Sequence, residues 1–151
     1  MKILIQLNIK SKAKLMSLMA GLLLMLLSTP DYAASVIVNS SSGADAVSLS
    51  EVRAIFSMRL RRWPNGLPVT VYILKSDSVT HSDFCKNILN IYPHQLQATW
   101  DRMVYSGTGK APIVVNSEAE MREMVAATPG AIGYVAEAKL DDLRIKEINL
   151  R

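Results

Sequence analysis

His81 and Cys85 stand four residues apart, so on a helix they share one face, the arrangement that a thiolate and imidazole pair requires. No third orienting residue and no oxyanion loop can be assigned to them, and Cys85 follows Phe84, which reads as core. A lone cysteine in such company has a plainer reading as a buried apolar side chain. Around the pair runs Leu74-Lys75-Ser76-Asp77-Ser78-Val79-Thr80-His81-Ser82-Asp83-Phe84, which follows an apolar run and opens a helix. Unpaired backbone N–H groups and the positive end of the helix dipole favour an anion at such a place. A cap explains the same residues without a ligand. Ser78 or Thr80 can close the helix start, Thr80 and Asp83 have capping-box spacing, and the Asp83 carboxylate would then fill the anion position itself.

A second constellation is Arg59, Arg61 and Arg62 beside Trp63. Three guanidiniums at a tight turn could hold a phosphate, a phospholipid headgroup or an acidic partner. Exposed Arg are common, however, and a solvated turn with Trp63 plugging the core accounts for them equally. Ser106-Gly107-Thr108-Gly109-Lys110 has the composition of a phosphate-cradling loop, but it lacks the Gly-x-x-x-x-Gly-Lys-Ser/Thr spacing and follows a helix, so it reads as a Gly-rich helix exit. No cofactor and no metal-ligand set is assigned.

The elements that position these residues follow from periodicity. Ser48 and Glu51 form a capping box, after which Leu49, Val52, Ile55 and Phe56 recur at helical spacing until Trp63-Pro64-Asn65-Gly66. Val36-Ile37-Val38-Asn39 reads as a first strand. Residues 68–74, almost continuously apolar, read as a strand covered on both faces. A second helix carries Phe84, Ile88 and Leu89 inward. Pro93 opens a third, with Leu96, Trp100, Met103 and Val104 on one stripe. Ser117 and Glu120 are in capping-box spacing for a fourth, through Ala127, with Met121, Met124 and Val125 inside. Ala131 to Val135 is a short strand, and 145–150 an edge strand. Strands alternating with helices predict an α/β domain with a small mixed sheet flanked by helices.

Length and charge limit the alternatives. The 151 residues leave room for one domain and a tail. Lys2, Lys10, Lys12 and Lys14 precede the apolar run from Leu15 to Leu27, and Pro30 and small residues follow. This pattern predicts a signal peptide over 1–35, cleaved between Ala33 and Ser35, and a mature domain over 36–151; an uncleaved anchor is the competing reading. The four Lys account for most of the formal net charge of +4, and without them basic and acidic side chains nearly balance. Nucleic-acid binding, which needs a basic excess on the folded domain, is therefore not expected. Cys85 is the only cysteine, so no intrachain disulfide can form and an apolar core must stabilise the domain.

Two stretches carry a family resemblance. Ser48, Glu51-Val52, Ile55-Phe56, Trp63, Gly66 and Pro68-Val69, together with the closing Thr128-Pro129-Gly130-Ala131-Ile132-Gly133-Tyr134-Val135, resemble the periplasmic phosphate-binding proteins of ABC transporters, of the type 2 periplasmic binding protein superfamily. The match runs from about Val36 to Val135. In two-lobed members of that family these motifs lie mostly in one lobe, with ligand held between lobes, so the resemblance implies one lobe alone. It also implies that Ser78 and Thr80 fall on the Ser and Thr of a phosphate-holding Arg…Ser-Gly-Thr motif. Leu74 stands in place of the Arg and Val79 in place of the Gly, which removes a bidentate cation and hinders close backbone approach. Lys75 could replace part of the charge, although its neighbouring position on a strand points it to the opposite face.

The expectation is a non-enzymatic, exported periplasmic lobe. It would bind phosphate or a similar oxyanion weakly through Ser78, Thr80 and Lys75 and serve an inner-membrane transporter or sensor. The alternative is a docking module that has kept the lobe fold, lost ligand binding and uses Arg59, Arg61, Arg62 and Trp63.

Overall fold

The computed structural model describes residues 34–44, 46–138 and 141–150, so nearly all of the expected 1–35 targeting segment lies outside the described residues. The β-branched run forms β1 (Ser35–Asn39), and a short β2 (Ala46–Val47) follows. Helix α1 (Leu49–Phe56) starts at the expected capping box: Ser48 Oγ accepts from the Glu51 N–H at 3.2 Å, and Glu51 Oε2 accepts from the Ser48 N–H at 2.8 Å. Val52, Ile55 and Phe56 are buried, and Leu49 packs at the margin.

Strand β3 (Thr70–Leu74) starts two residues later than its apolar run because Pro68, with no N–H to give a ladder, makes only an isolated bridge to Arg62. Helix α2 (Val79–Asp83) continues into a π-helical turn (Phe84–Leu89) that buries Phe84, Cys85, Ile88 and Leu89. Helix α3 (Pro93–Tyr105) has its proline in the first turn and is pinned by Trp100, whose indole N–H donates to the Phe56 carbonyl at 2.6 Å. Val104, placed by periodicity on the buried stripe, is instead exposed near the helix end. Then come β4 (Ile113–Val115), α4 (Glu118–Ala127) and β5 (Ala131–Val135), the last buried at every residue. The expected single edge strand at 145–150 is two pieces: β6 (Ile145–Glu147) pairs with β1, and β7 (Asn149–Leu150) pairs in parallel with β2.

The main sheet has the order β4-β3-β5-β1-β6. Strand β3 is parallel to β4 and β5, whereas β1 is antiparallel to β5 and β6. The expected mixed α/β sheet with flanking helices is therefore present. Adjacent residues of β5 face opposite layers. A Cβ on Gly133 would come within 2.4 Å of Met121 Sδ and 3.2 Å of Val125 Cγ2, so α4 packs directly on the sheet there. Tyr134 points the other way and stacks on Phe84, with centroids 3.9 Å apart and planes 4° from parallel, beside Phe56. Such an aromatic pair contributes about 0.5–1.5 kcal/mol beyond its buried area.

Candidate functional site

This topology brings the carboxyl ends of β3, β4 and β5 and the amino end of β1 to one edge, since Leu74 is in register with Val115 and Ser35 with Val135. Helices α2 and α4 both begin at that edge. In open α/β sheets the crevice outside the carboxyl ends of the strands is where ligands bind. Here it is a cleft of about 170 Å³ lined by Ala34, Val79, Thr80, Asp83 and Ala136. The segment singled out by residue type thus lines the crevice that topology selects.

Each predicted residue has a definite place there. Ser78 is the N-cap of α2, its Oγ accepting from the His81 N–H at 3.4 Å. The N–H groups of Val79 and Thr80, the first two helical residues, are of the kind a helix leaves without an intrahelical partner. Val79 is 76% exposed, so the side chain standing in place of glycine sits at the mouth of the cleft. Leu74 is buried and its N–H donates to the Tyr134 hydroxyl at 3.0 Å. Lys75 is exposed just beyond β3. Glu120 in α4 is held below the usual carboxylate range by the backbone and side-chain N–H groups of Asn116, with a smaller contribution from the Lys75 charge. Lys75, one residue past the end of β3, thus lies on this same edge.

Thr80 does not pair with Asp83 in a capping box. Its hydroxyl donates to Glu118 Oε1 at 2.7 Å, and Glu118 Oε2 accepts the Ala136 N–H at 3.1 Å with Arg122 Nη2 at 3.6 Å. Residue spacing pointed to Asp83 as the carboxylate at this helix start, whereas Glu118, 38 residues away, takes the hydroxyl. Only the pairing of β3 with β5 and the packing of α4 reveal that contact. The Ser117–Glu120 box is likewise half formed: Ser117 Oγ accepts the Glu120 N–H, while Glu120 Oε2 accepts from Asn116 N at 2.7 Å.

His81 and Cys85 do meet, with Nε2 and Sγ 3.6 Å apart, and both are buried. Tyr134, unassigned by residue spacing, completes the cluster through a hydrogen bond between its hydroxyl and His81 Nδ1 at 2.5 Å. The Tyr134 oxygen also accepts from the Leu74 N–H, so this one hydroxyl joins β3 to the His81 ring of α2. Burial lowers the His81 pKa, pushes Cys85 up to about 12 and raises Tyr134. All three therefore stay neutral near pH 7, the reverse of what a thiolate nucleophile needs.

The arginines of the second constellation lie on the surface, each tied to its own turn. Arg59 Nε donates to Ser57 Oγ at 3.0 Å, Arg61 Nε to the Met58 carbonyl at 3.1 Å and Arg62 Nη1 to the Gly66 carbonyl at 3.0 Å. Trp63 is buried, its indole N–H donating to the Gly130 carbonyl at 2.8 Å, so its ring lies inside the domain. The Ser106–Lys110 loop spends the N–H groups of Ser106, Gly107, Thr108 and Gly109 on α3 carbonyls, as a helix exit does. Among the described residues no group of three or more His, Cys, Asp or Glu is placed to hold a metal ion, and no helix is long and apolar enough to cross a membrane.

No family model and no curated sequence matches the chain. Solved structures do. An ABC-type phosphate transport receptor from Vibrio cholerae aligns over 78% of this chain and 46% of its own, with a TM-score of 0.57 at 14% identity. A Clostridium perfringens protein described as a phosphate ABC transporter substrate-binding protein, solved with bound phosphate, aligns over 78% and 44%, with a TM-score of 0.61 at 14% identity. PstS from Borrelia burgdorferi aligns over 68% and 40%, with a TM-score of 0.53 at 19% identity. The fold is that of one lobe of a phosphate-transport binding protein. The chain spans less than half the length of each of these three structures.

Proposed function

We propose that this binding-protein lobe is exported, holds a small oxyanion such as phosphate weakly at the sheet edge, and serves an inner-membrane transporter or sensor. The observation that carries the reading is the cleft at Thr80, which lies outside the carboxyl ends of parallel strands and at the start of a helix. Its donors would be the Thr80 hydroxyl and the first N–H groups of α2, with the N-cap Ser78 holding that helix start in place and Lys75 supplying charge from the rim. Binding would be weak for two reasons. Leu74 brings no guanidinium, and a single lobe leaves the ligand open to water, which weakens every electrostatic contact. Arg59, Arg61 and Arg62, held outward by their own turn, would meet an acidic surface of the membrane partner.

Thermal unfolding of the protein in up to 100 mM sodium phosphate, against sodium chloride of equal ionic strength, tests the ligand. A one-site ligand at one hundred times its dissociation constant stabilises by about 2.7 kcal/mol, and at ten times by about 1.4 kcal/mol. A phosphate-specific rise in Tm that is lost in Thr80→Val supports the reading. Identical melting in the two salts removes it.

A further inference from the structure

The contact between Thr80 and Glu118 bears on how that cleft is regulated. Helix α4 begins at Glu118, and the carboxylate bridges two elements: Oε1 takes the Thr80 hydroxyl at 2.7 Å and Oε2 takes the Ala136 N–H at 3.1 Å. Thr80 and Ala136 are two of the five residues lining the cleft. A hydroxyl and a backbone amide are the two kinds of donor that hold a small oxyanion, and here both are already engaged by an anion belonging to the chain. Arg122, one turn further along α4, holds the carboxylate in that pose with Nη2 at 3.6 Å from Oε2 and 2.8 Å from the Glu137 carbonyl.

A free negative charge at the start of α4 needs no such partners, since the helix dipole favours it wherever it projects from the first turn. Bridging Thr80 to Ala136 instead spans 38 and 18 residues of sequence and draws α2 toward the end of β5. An incoming oxyanion must take the Thr80 hydroxyl from Glu118 and tolerate its like charge within a few ångströms, which disfavours binding while the carboxylate stays in place.

We infer that Glu118 is a built-in competitor of the oxyanion: its carboxylate occupies the Thr80–Ala136 donors, and external anion binds as this side chain withdraws. The inference rests on the oxyanion reading of the cleft. Glu118→Ala empties the donors, and Glu118→Gln keeps the shape while removing the charge.

Inorganic phosphate and sulfate are titrated at constant ionic strength into the wild type and both variants, following the backbone amide resonances of Thr80 and Ala136. Circular dichroism melts establish that each variant is folded. Phosphate affinity should rise at least tenfold in Glu118→Ala and by a smaller factor in Glu118→Gln, and the gain should vanish in Glu118→Ala combined with Thr80→Val. Wild-type binding that both folded variants leave unchanged or weaken overturns the competitor role alone. Absence of binding by all the proteins, with folding intact, overturns the oxyanion reading and the competitor with it.

Discussion

Replacing Gly130 by alanine should cost far more than replacing Gly107, although both have left-handed backbones, with φ of +73° and +69°. The left-handed conformation costs a non-glycine residue about 1–2 kcal/mol, partly offset by the roughly 0.4–1 kcal/mol that alanine contributes by restricting the unfolded chain. A Cβ at Gly107 meets nothing within 4 Å, so Gly107→Ala should lose about 1 kcal/mol and no more. At Gly130 the added Cβ would lie 2.4 Å from the Pro68 carbonyl oxygen, a backbone atom that no rotamer change can remove. Separating them disturbs the Gly130 carbonyl, which accepts from the Trp63 indole N–H at 2.8 Å and the Thr70 N–H at 3.2 Å. Leaving a buried donor unpaired costs about 1–3 kcal/mol, which with the backbone contribution brings Gly130→Ala to about 2–4 kcal/mol. Urea unfolding followed by tryptophan fluorescence measures both. With a slope of about 1.5 kcal/mol per M, the midpoint should fall by about 1.3–2.7 M for Gly130→Ala and by under 1 M for Gly107→Ala. Equal losses in the two variants would refute the close approach of the Thr128–Gly130 turn to Pro68.

Other consequences come from the buried polar cluster. Because burial lowers the His81 pKa, the unfolded chain takes up a proton that the folded one refuses. Stability should be full above the ordinary histidine value of about 6.5 and decline below it, by at most about 1.4 kcal/mol per pH unit, until the lowered folded value is reached. Urea midpoints that do not change between pH 7.5 and 5.5 would contradict this. Tyr134→Phe strips a partner from both the Leu74 N–H and His81 Nδ1 and should destabilise by about 2–4 kcal/mol in the same assay; a loss under 1 kcal/mol would mean neither bond matters. Cys85, fully buried with its thiol pushed up to about 12, should resist iodoacetamide at pH 8 in the native protein and react promptly in 6 M guanidinium. Native-state labelling at the unfolded rate would show that the cluster opens freely.

What could be read from residue order was whatever is decided within one turn or one strand. The Ser48–Glu51 box, the Val52-Ile55-Phe56 stripe, Pro93 at the start of α3 and the apolar 131–135 run depend on neighbours within a few residues, and all appear as expected. Errors arose where a distant partner outcompeted a local one. Glu120 turned to Asn116 instead of completing its box, Thr80 turned to Glu118 instead of Asp83, and the final apolar stretch divided because β1 and β2 each recruited part of it. Val104 failed for another reason, since a helix stripe predicts burial only as far as the partner surface extends. The cleft's position could be anticipated from a helix following a strand, but its charge could not. The residue that controls that charge enters from α4, through a crossover that no spacing rule encodes.

The middle of the sheet is made late. Strand β5 lies between β3 and β1 in space, yet more than fifty residues separate it from the end of β3 in sequence. A ribosome that has released only the first 130 residues has therefore produced two flanks with nothing to bridge them, since β1 and β3 share no ladder of their own. Such a chain must wait for its central strand before its aromatic interior can close, and long-range pairings of this kind fold slowly. The order of synthesis therefore postpones collapse until the segment that locks the two halves together has been made.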